Sequence, residues 1–359
     1  VSFQSCSLCR VRPMLALQVL QAAKIWRHVS KDLHGQKLRL KVGCSNKLGQ
    51  ICAMIGVLLV NLGTPDNPKT PAVRKYLREF LMDGRVIDIP YIFRSLLVNG
   101  IIAPFRAPKS AKIYQELWDE RGSPLKYYGE DVARDLQEKL GKGYYVKLAM
   151  RYQSPDMKSA LADMQAKNLK KLIIIPFFPQ YASATTGSVY ERVMELMKDW
   201  QVMPDLSLVS YFYDHPDFAK YFAAKAANYQ KDVDFDYYLF SYHGVPERHI
   251  RKGDYSKNTC VFGTCCESIT EKNHGCYRAQ CHETTRRIAA EMGLKPGTFG
   301  TAFQSRLGRD PWLQPYTDET IKKLVGEGKK KILAFSPAFV ADCLETTIEV
   351  GEEYKELFE

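Results

Sequence analysis

The chain of 359 residues has no uninterrupted apolar run of about 18 residues, the length a helix needs to cross a bilayer. The nearest stretch, Ile87 to Phe105, is broken by Asp88, Pro90, Arg94 and Asn99. It reads as a core helix, as one wall of an apolar cleft, or as a segment lying against a membrane surface. Glycine-rich phosphate loops are missing too. Val60-Asn61-Leu62-Gly63-Thr64-Pro65 follows the first apolar strand but is neither a Walker motif nor GxGxxG. No secretory signal is evident, and the ten cysteines lack the even spacing of a secreted disulfide framework. Acids are almost absent from the first 53 positions, where nine Lys/Arg face only Asp32. This stretch therefore carries +8 of the formal +11, leaving +3 for the rest, which does not call for nucleic acid as a partner. Residues 1–53 read as an organelle transit peptide or as mis-assigned translation upstream of Met54, and on either reading stand outside the fold. The first places the protein in a mitochondrion or another organelle, the second in the cytoplasm.

From Met54 onward, apolar runs alternate with helical patterns. Strands are expected over residues 55–61, 144–150, 171–176, 206–211, 237–241 and 331–335, with helices between them. Strand–helix repetition with little polar alternation predicts an α/β fold built on parallel sheets covered on both faces. A break near Val202-Met203-Pro204-Asp205 divides the chain into residues 54–202 and 203–330. The segment 331–359 is expected to return to the first domain.

Two strings stand just past strand ends, where parallel sheets form their binding crevice. One is Ser241-Tyr242-His243-Gly244-Val245-Pro246; the other is Ala341-Asp342-Cys343-Leu344-Glu345-Thr346-Thr347. A neutral imidazole at His243 can accept protons or contact a metal near pH 7. Its bland alternative is a satisfied structural histidine. Asp342, Glu345 and Glu349 fall at i, i+3 and i+7 of a helix expected after Pro337, so they should share a face and could pass a divalent cation. Answering the helix dipole is the bland alternative, and it explains Asp342 better than the other two. Arg151-Tyr152, past the strand at 144–150, should reach the crevice, with Arg151 for a carboxylate and Tyr152 for a flat ring. Pro179 to Ser188 supplies hydroxyls and free backbone N–H groups at a helix start, suited to an anion or merely to capping. Gln304 to Gly308 and Pro311-Trp312-Leu313 offer further cleft-bordering side chains.

Five cysteines crowd one segment: Cys260, Cys265, Cys266, Cys276 and Cys281. Thiolates so close suit an Fe–S cluster or a structural zinc, although the spacing matches no common zinc finger. Reduced free thiols are the plain alternative.

Taken together, VNLGTP (60–65), FRAPKSAKIY (105–114), GSPL (122–125), RYQSP (151–155), PQYASATTGS (179–188), SYHGVP (241–246), FQSRLGRDPWLQPYT (303–317) and ADCLETTIEV (341–350) resemble the ferrochelatase family, from about Ile55 to the end. The resemblance implies two Rossmann-like domains, each a four-stranded parallel sheet flanked by helices, with a porphyrin cleft between them. It implies insertion of Fe2+ into protoporphyrin IX, with His243 and Glu345 at the metal site and Asp342 and Glu349 along an acidic track. Leu62, Arg106, Tyr114, Ser123, Arg151 and Tyr152 match porphyrin-contacting or cleft-lining positions. Cys343 stands where animal members have His, and Ser183 where they have a cluster-ligating Cys. The cysteine segment, about 256–281, is similar to the insertion that holds a [2Fe-2S] cluster in some bacterial members. Peripheral membrane association is an expectation from the apolar residues between Ile87 and Phe105. The alternatives are a coproporphyrin or cobalt chelatase of the same fold, and a non-catalytic haem- or metal-carrying protein.

Overall fold

The computed structural model describes residues 2–6, 54–308 and 310–359. Apart from Ser2–Cys6, the basic stretch expected to be a leader lies outside the described residues. Among the described residues, eight strands form two four-stranded sheets, and every pairing within them is parallel. The first sheet has the order β3-β2-β4-β5, from Tyr144–Tyr152, Ile55–Gly63, Lys171–Pro176 and Asp205–Leu208. The second has the order β1-β8-β6-β7, from Ser2–Cys6, Lys331–Phe335, Tyr237–His243 and Phe299–Gln304. Helices cover both sheets, which gives the α/β class expected from the alternation of elements.

Central strands are nearly continuous apolar runs because both faces are covered. Leu58, Leu59 and Val60 of β2 are fully buried, and alternate residues feed two separate core clusters on opposite faces. In the second sheet, Phe240 of β6 stacks on Phe335 of β8 at 4.6 Å and 10°. That pair explains why residues 331–335 join the second sheet rather than the first, as their position at the chain's end had suggested. The expected break near 202–205 also moves. Asp205–Leu208 pairs with Lys171–Ile174, so β5 closes the first sheet and the crossing follows it. Ser2–Cys6 runs beside β8, with Phe3 buried in the cluster of Leu239, Ile332 and Phe358. These five residues are part of the fold, against the expectation for 1–53.

The chain leaves β6 toward β7 on one side, whereas after β8 it turns to the other side, over β1. Neighbouring strands whose connections diverge open a crevice at their carboxyl ends. The loops after β6 and β8 begin at Gly244 and Ser336, so both strings singled out above meet this opening. Polar contacts join the halves nearby. Gln180 donates to Thr284 Oγ1 at 3.1 Å, and the Tyr181 N–H donates to Gln280 Oε1 at 2.7 Å.

Candidate active site

His243 is the last residue of β6 and is half-buried, with Trp312 and Phe339 rings at 6.5 and 6.4 Å. Its Nδ1 lies 2.6 Å from the Gly244 carbonyl oxygen. A carbonyl oxygen only accepts, so Nδ1 carries the hydrogen and Nε2 of the neutral ring keeps the lone pair. The Tyr277 hydroxyl donates to the His243 carbonyl at 2.8 Å and fixes the backbone beneath the ring. Gly244 must be glycine: a Cβ there would meet the Gln304 carbonyl oxygen at 2.9 Å.

Gln304, at the end of β7, is the register partner of His243 and is buried. Its Oε1 accepts from Ser241 Oγ at 2.6 Å. Its Nε2 donates to the Glu345 carbonyl at 3.1 Å and to Glu349 Oε2 at 3.0 Å. One amide thus ties the His243 strand end to the segment bearing the acids. That segment is π-helical over Glu345–Glu353 and begins later than the helix expected after Pro337. Asp342 stands outside it, accepting from Thr346 Oγ1 at 3.3 Å.

Glu345 and Glu349, four residues apart in this segment, take different partners. Glu345 faces the first lobe. The buried Cys343 thiol is pushed upward first by burial and then by this carboxylate. The Glu345 charge also reaches the buried phenols of Tyr76 and Tyr114, both raised by burial in the first place. Glu349 turns the other way. Its carboxylate accepts from the Ser305 N–H at 2.9 Å, the Ser305 hydroxyl, Gln304 Nε2 and the Tyr354 hydroxyl at 2.9 Å. Its lone pairs are fully engaged. No ion pair joins His243 to Glu345, and among the described residues no group of three or more His, Cys, Asp or Glu is arranged around a metal ion.

The first lobe holds the remaining candidate residues. Leu62, at the end of β2, packs with Tyr76, Tyr114 and Leu344, so this apolar cluster joins the two lobes. Ser123 is buried and bonded to Thr64 at 2.9 Å. Arg106 is exposed on the helix Ala103–Leu117, two turns before Tyr114. Arg151 and Tyr152 do not reach the crevice as expected. Tyr152 is 0% exposed, so no face of its ring is free for stacking. Arg151 is spent on Asp83 at 2.7 Å and on Ser188, and the Tyr152 hydroxyl donates to the same carboxylate at 2.8 Å. Burial alone would raise Asp83, but hydrogen bonds from Ser188, the Arg85 backbone and Tyr152, together with the Arg151 charge, hold its carboxyl below the ordinary value.

The cysteine segment is irregular and pinned by side chains. Asp254 accepts from the N–H groups of Thr259 and Cys260 at 2.9 and 2.7 Å. Asn273 donates to the carbonyls of Cys265 and Ser268 at 2.6 and 2.8 Å. Cys265 Sγ lies 3.6 Å from Cys266 Sγ; Cys265 helps to raise the thiol of Cys260, and Cys276 that of Cys266. Cys276 precedes the helix Tyr277–Glu291. Its thiol is held below the ordinary value by the Cys266 S–H, against burial and with help from the N–H groups of Ala279 and Arg278. Cys281 is set apart: it is 0% exposed within that helix, and burial pushes its thiol upward.

Residues 54–359 match the ferrochelatase family profile. The chain belongs to the ferrochelatase family. A ferrochelatase of Legionella pneumophila (strain Paris) is 46% identical over 304 residues, covering 85% of this chain and 90% of the relative. A ferrochelatase of Coxiella burnetii (strain RSA 493 / Nine Mile phase I) is 42% identical over 297 residues, 83% of each. The family match thus begins at Met54, beside the start of β2, and takes in both sheets except β1.

Several residues that build the ferrochelatase site gave little sign of it in the sequence. Asp83, which claims Arg151, and Phe339, which borders His243, sit in no motif. Gln304 stood among cleft-bordering residues with no role. Only strand register, visible once β6 and β7 are paired, brings it opposite His243.

Proposed function

We propose that this ferrochelatase inserts Fe2+ into protoporphyrin IX to form protohaem, releasing the two inner pyrrole protons, with His243 as the proton acceptor. The observation that carries this is the His243–Gly244 hydrogen bond, which leaves Nε2 as the basic nitrogen of the neutral ring beside Trp312 and Phe339. Glu345 supplies the negative charge that balances the incoming cation and the imidazolium. A carboxylate beside desolvated phenols and a thiol is less satisfied than one ringed by donors, so Fe2+ gains most there. Asp342, with one weak partner, and Glu349 extend the acidic path. Glu349 can take part only by giving up a bond to Gln304, Ser305 or Tyr354.

The porphyrin body is apolar and flat, and its propionates are anionic. Leu62 and Tyr114 support an apolar wall, Ser123 lies beside it, and the unpaired Arg106 supports a propionate contact. Arg151 and Tyr152 act behind this wall, through Asp83. The test is an anaerobic absorbance assay supplying protoporphyrin IX or coproporphyrin with Fe2+ or Co2+. Protoporphyrin with Fe2+ should be turned over fastest. Faster turnover of coproporphyrin or Co2+ favours those chelatases, and binding without turnover favours a carrier.

The thiols of Cys260, Cys265, Cys266 and Cys276 fit a [2Fe-2S] cluster, which takes four thiolates. Arg251 and Arg278 lie close enough to offset thiolate charge. Such a cluster would supply one-electron redox chemistry or a rigid cross-link. Cys281 stays outside this ligand set.

Peripheral membrane contact is supported by residues 91–105, where Tyr91, Ile92, Phe93, Leu96, Ile101 and Phe105 are 58–74% exposed. No helix among the described residues is long and apolar enough to cross a membrane. Cosedimentation with lipid vesicles should fall on Phe93→Ser/Phe105→Ser; unchanged cosedimentation removes the proposal.

A further inference from the structure

Away from the crevice, the helix Thr70–Leu81 turns a second face toward a cavity of about 500 Å³ lined by Pro71, Arg74, Lys75, Arg78, Glu79 and Gln153. The five helical positions share one face, opposite the buried stripe of Val73, Tyr76, Leu77 and Leu81. Three cations stand on that wall. Lys75 has an ion pair with Asp66 at 3.5 Å, whereas neither Arg74 nor Arg78 has a partner among the described residues. Like charges four residues apart repel, and among the described residues no ion pair neutralises either arginine.

The only acid in the lining is already occupied. The N–H of Gln153 donates to Glu79 Oε2 at 3.2 Å, and its side-chain amide donates to the same oxygen. This fixes the amide orientation, since its nitrogen must face the carboxylate. Gln153 Oε1 is then left buried with no donor, on a residue only 6% exposed, and Arg74 Nε is buried with no acceptor. Unmade hydrogen bonds of this kind are costly. A ligand that satisfies both must bring anionic oxygens for the arginines and an O–H for Gln153.

The geometry points to a binding site for inorganic phosphate in this cavity. Hydrogen phosphate keeps an O–H at neutral pH. Sulfate has none, and a phosphomonoester is largely dianionic there. Arg74 and Arg78 hold the charge, and Gln153 Oε1 selects the protonated species.

The experiment is isothermal titration calorimetry of the full chain with inorganic phosphate, sulfate and glycerol phosphate at matched ionic strength. Phosphate should bind saturably and roughly tenfold or more tightly than either competitor. Arg74→Gln/Arg78→Gln, at positions where Gln keeps helix propensity, should lose at least about tenfold in phosphate affinity with Tm and iron insertion unchanged. Gln153→Met should erase the preference over sulfate. The proposal is overturned if phosphate gives no saturable heat, if sulfate binds as tightly, or if the double variant binds like the parent chain.

Discussion

His243 is set by two local facts, the end of β6 and the carbonyl oxygen that claims Nδ1. Both depend on the Gly244 turn, and this is why the residue was legible in the sequence: the strand, the glycine and Pro246 are contiguous. Glu345 was legible for a similar reason. Arg151 and Tyr152 were not. Their place at a strand end suggested that they reach the crevice, but the partner that withdraws them, Asp83, is 68 residues away from Arg151. No local pattern reports such a pairing. Gln304 carries the residue-scale prediction. Gln304→Leu removes the amide that links Ser241, the Glu345 carbonyl and Glu349, leaving buried acceptors unpaired at roughly 1–3 kcal/mol each. Thermal unfolding should show this loss. Steady-state kinetics should show kcat falling while the porphyrin KM stays nearly constant, because the amide touches the reacting groups' supports and no wall of the cleft. A changed KM with unchanged kcat would contradict that role.

Elements were easier to find than to pair. The strands Lys171–Pro176 and Lys331–Phe335 have the expected limits, yet β8 joined the other sheet and β1 came from a stretch read as lying outside the fold. Hydrophobic periodicity marks a strand but not its neighbour, which side-chain packing such as Phe240 on Phe335 decides. A π-helical turn is equally hidden, because the pattern of acids is read with a 3.6-residue repeat. One contact between elements makes a pH prediction. Asp88, beside the exposed 91–105 segment, accepts from Arg248 at 2.8 Å and from Lys252 at 2.5 Å, with His249 at 3.3 Å, all on the helix Glu247–Gly253. Burial works against the charge, but these hydrogen bonds hold the carboxyl well below the ordinary carboxylate range. A carboxyl depressed in the folded state adds stability above its unfolded value, roughly 3.9, and loses it as pH falls below that. Asp88→Asn should therefore lower stability near pH 7 by on the order of 1 kcal/mol after solvent screening, and the deficit should shrink below pH 4. A deficit independent of pH would show that the charge is not responsible.

At the scale of the whole molecule, two parallel sheets are joined through the apolar cluster that holds Leu62, Tyr114 and Leu344. The cysteine segment leads into the helix whose Tyr277 holds the His243 backbone, and colour reads its occupancy separately from turnover. Chain purified without oxidants should be brown with visible Fe–S absorption. Cys276→Ser should abolish the colour, and Cys281→Ser should keep it. A colourless protein with stoichiometric zinc, or colour lost only with Cys281, would contradict the ligand set. The most direct test of the central claim is a paired measurement on His243→Ala: anaerobic Fe2+ insertion into protoporphyrin IX by absorbance, and porphyrin binding by fluorescence quenching. With the imidazole as proton acceptor, insertion should be lost while binding and Tm are retained. Haem formed at near the parental rate by the folded variant would contradict it.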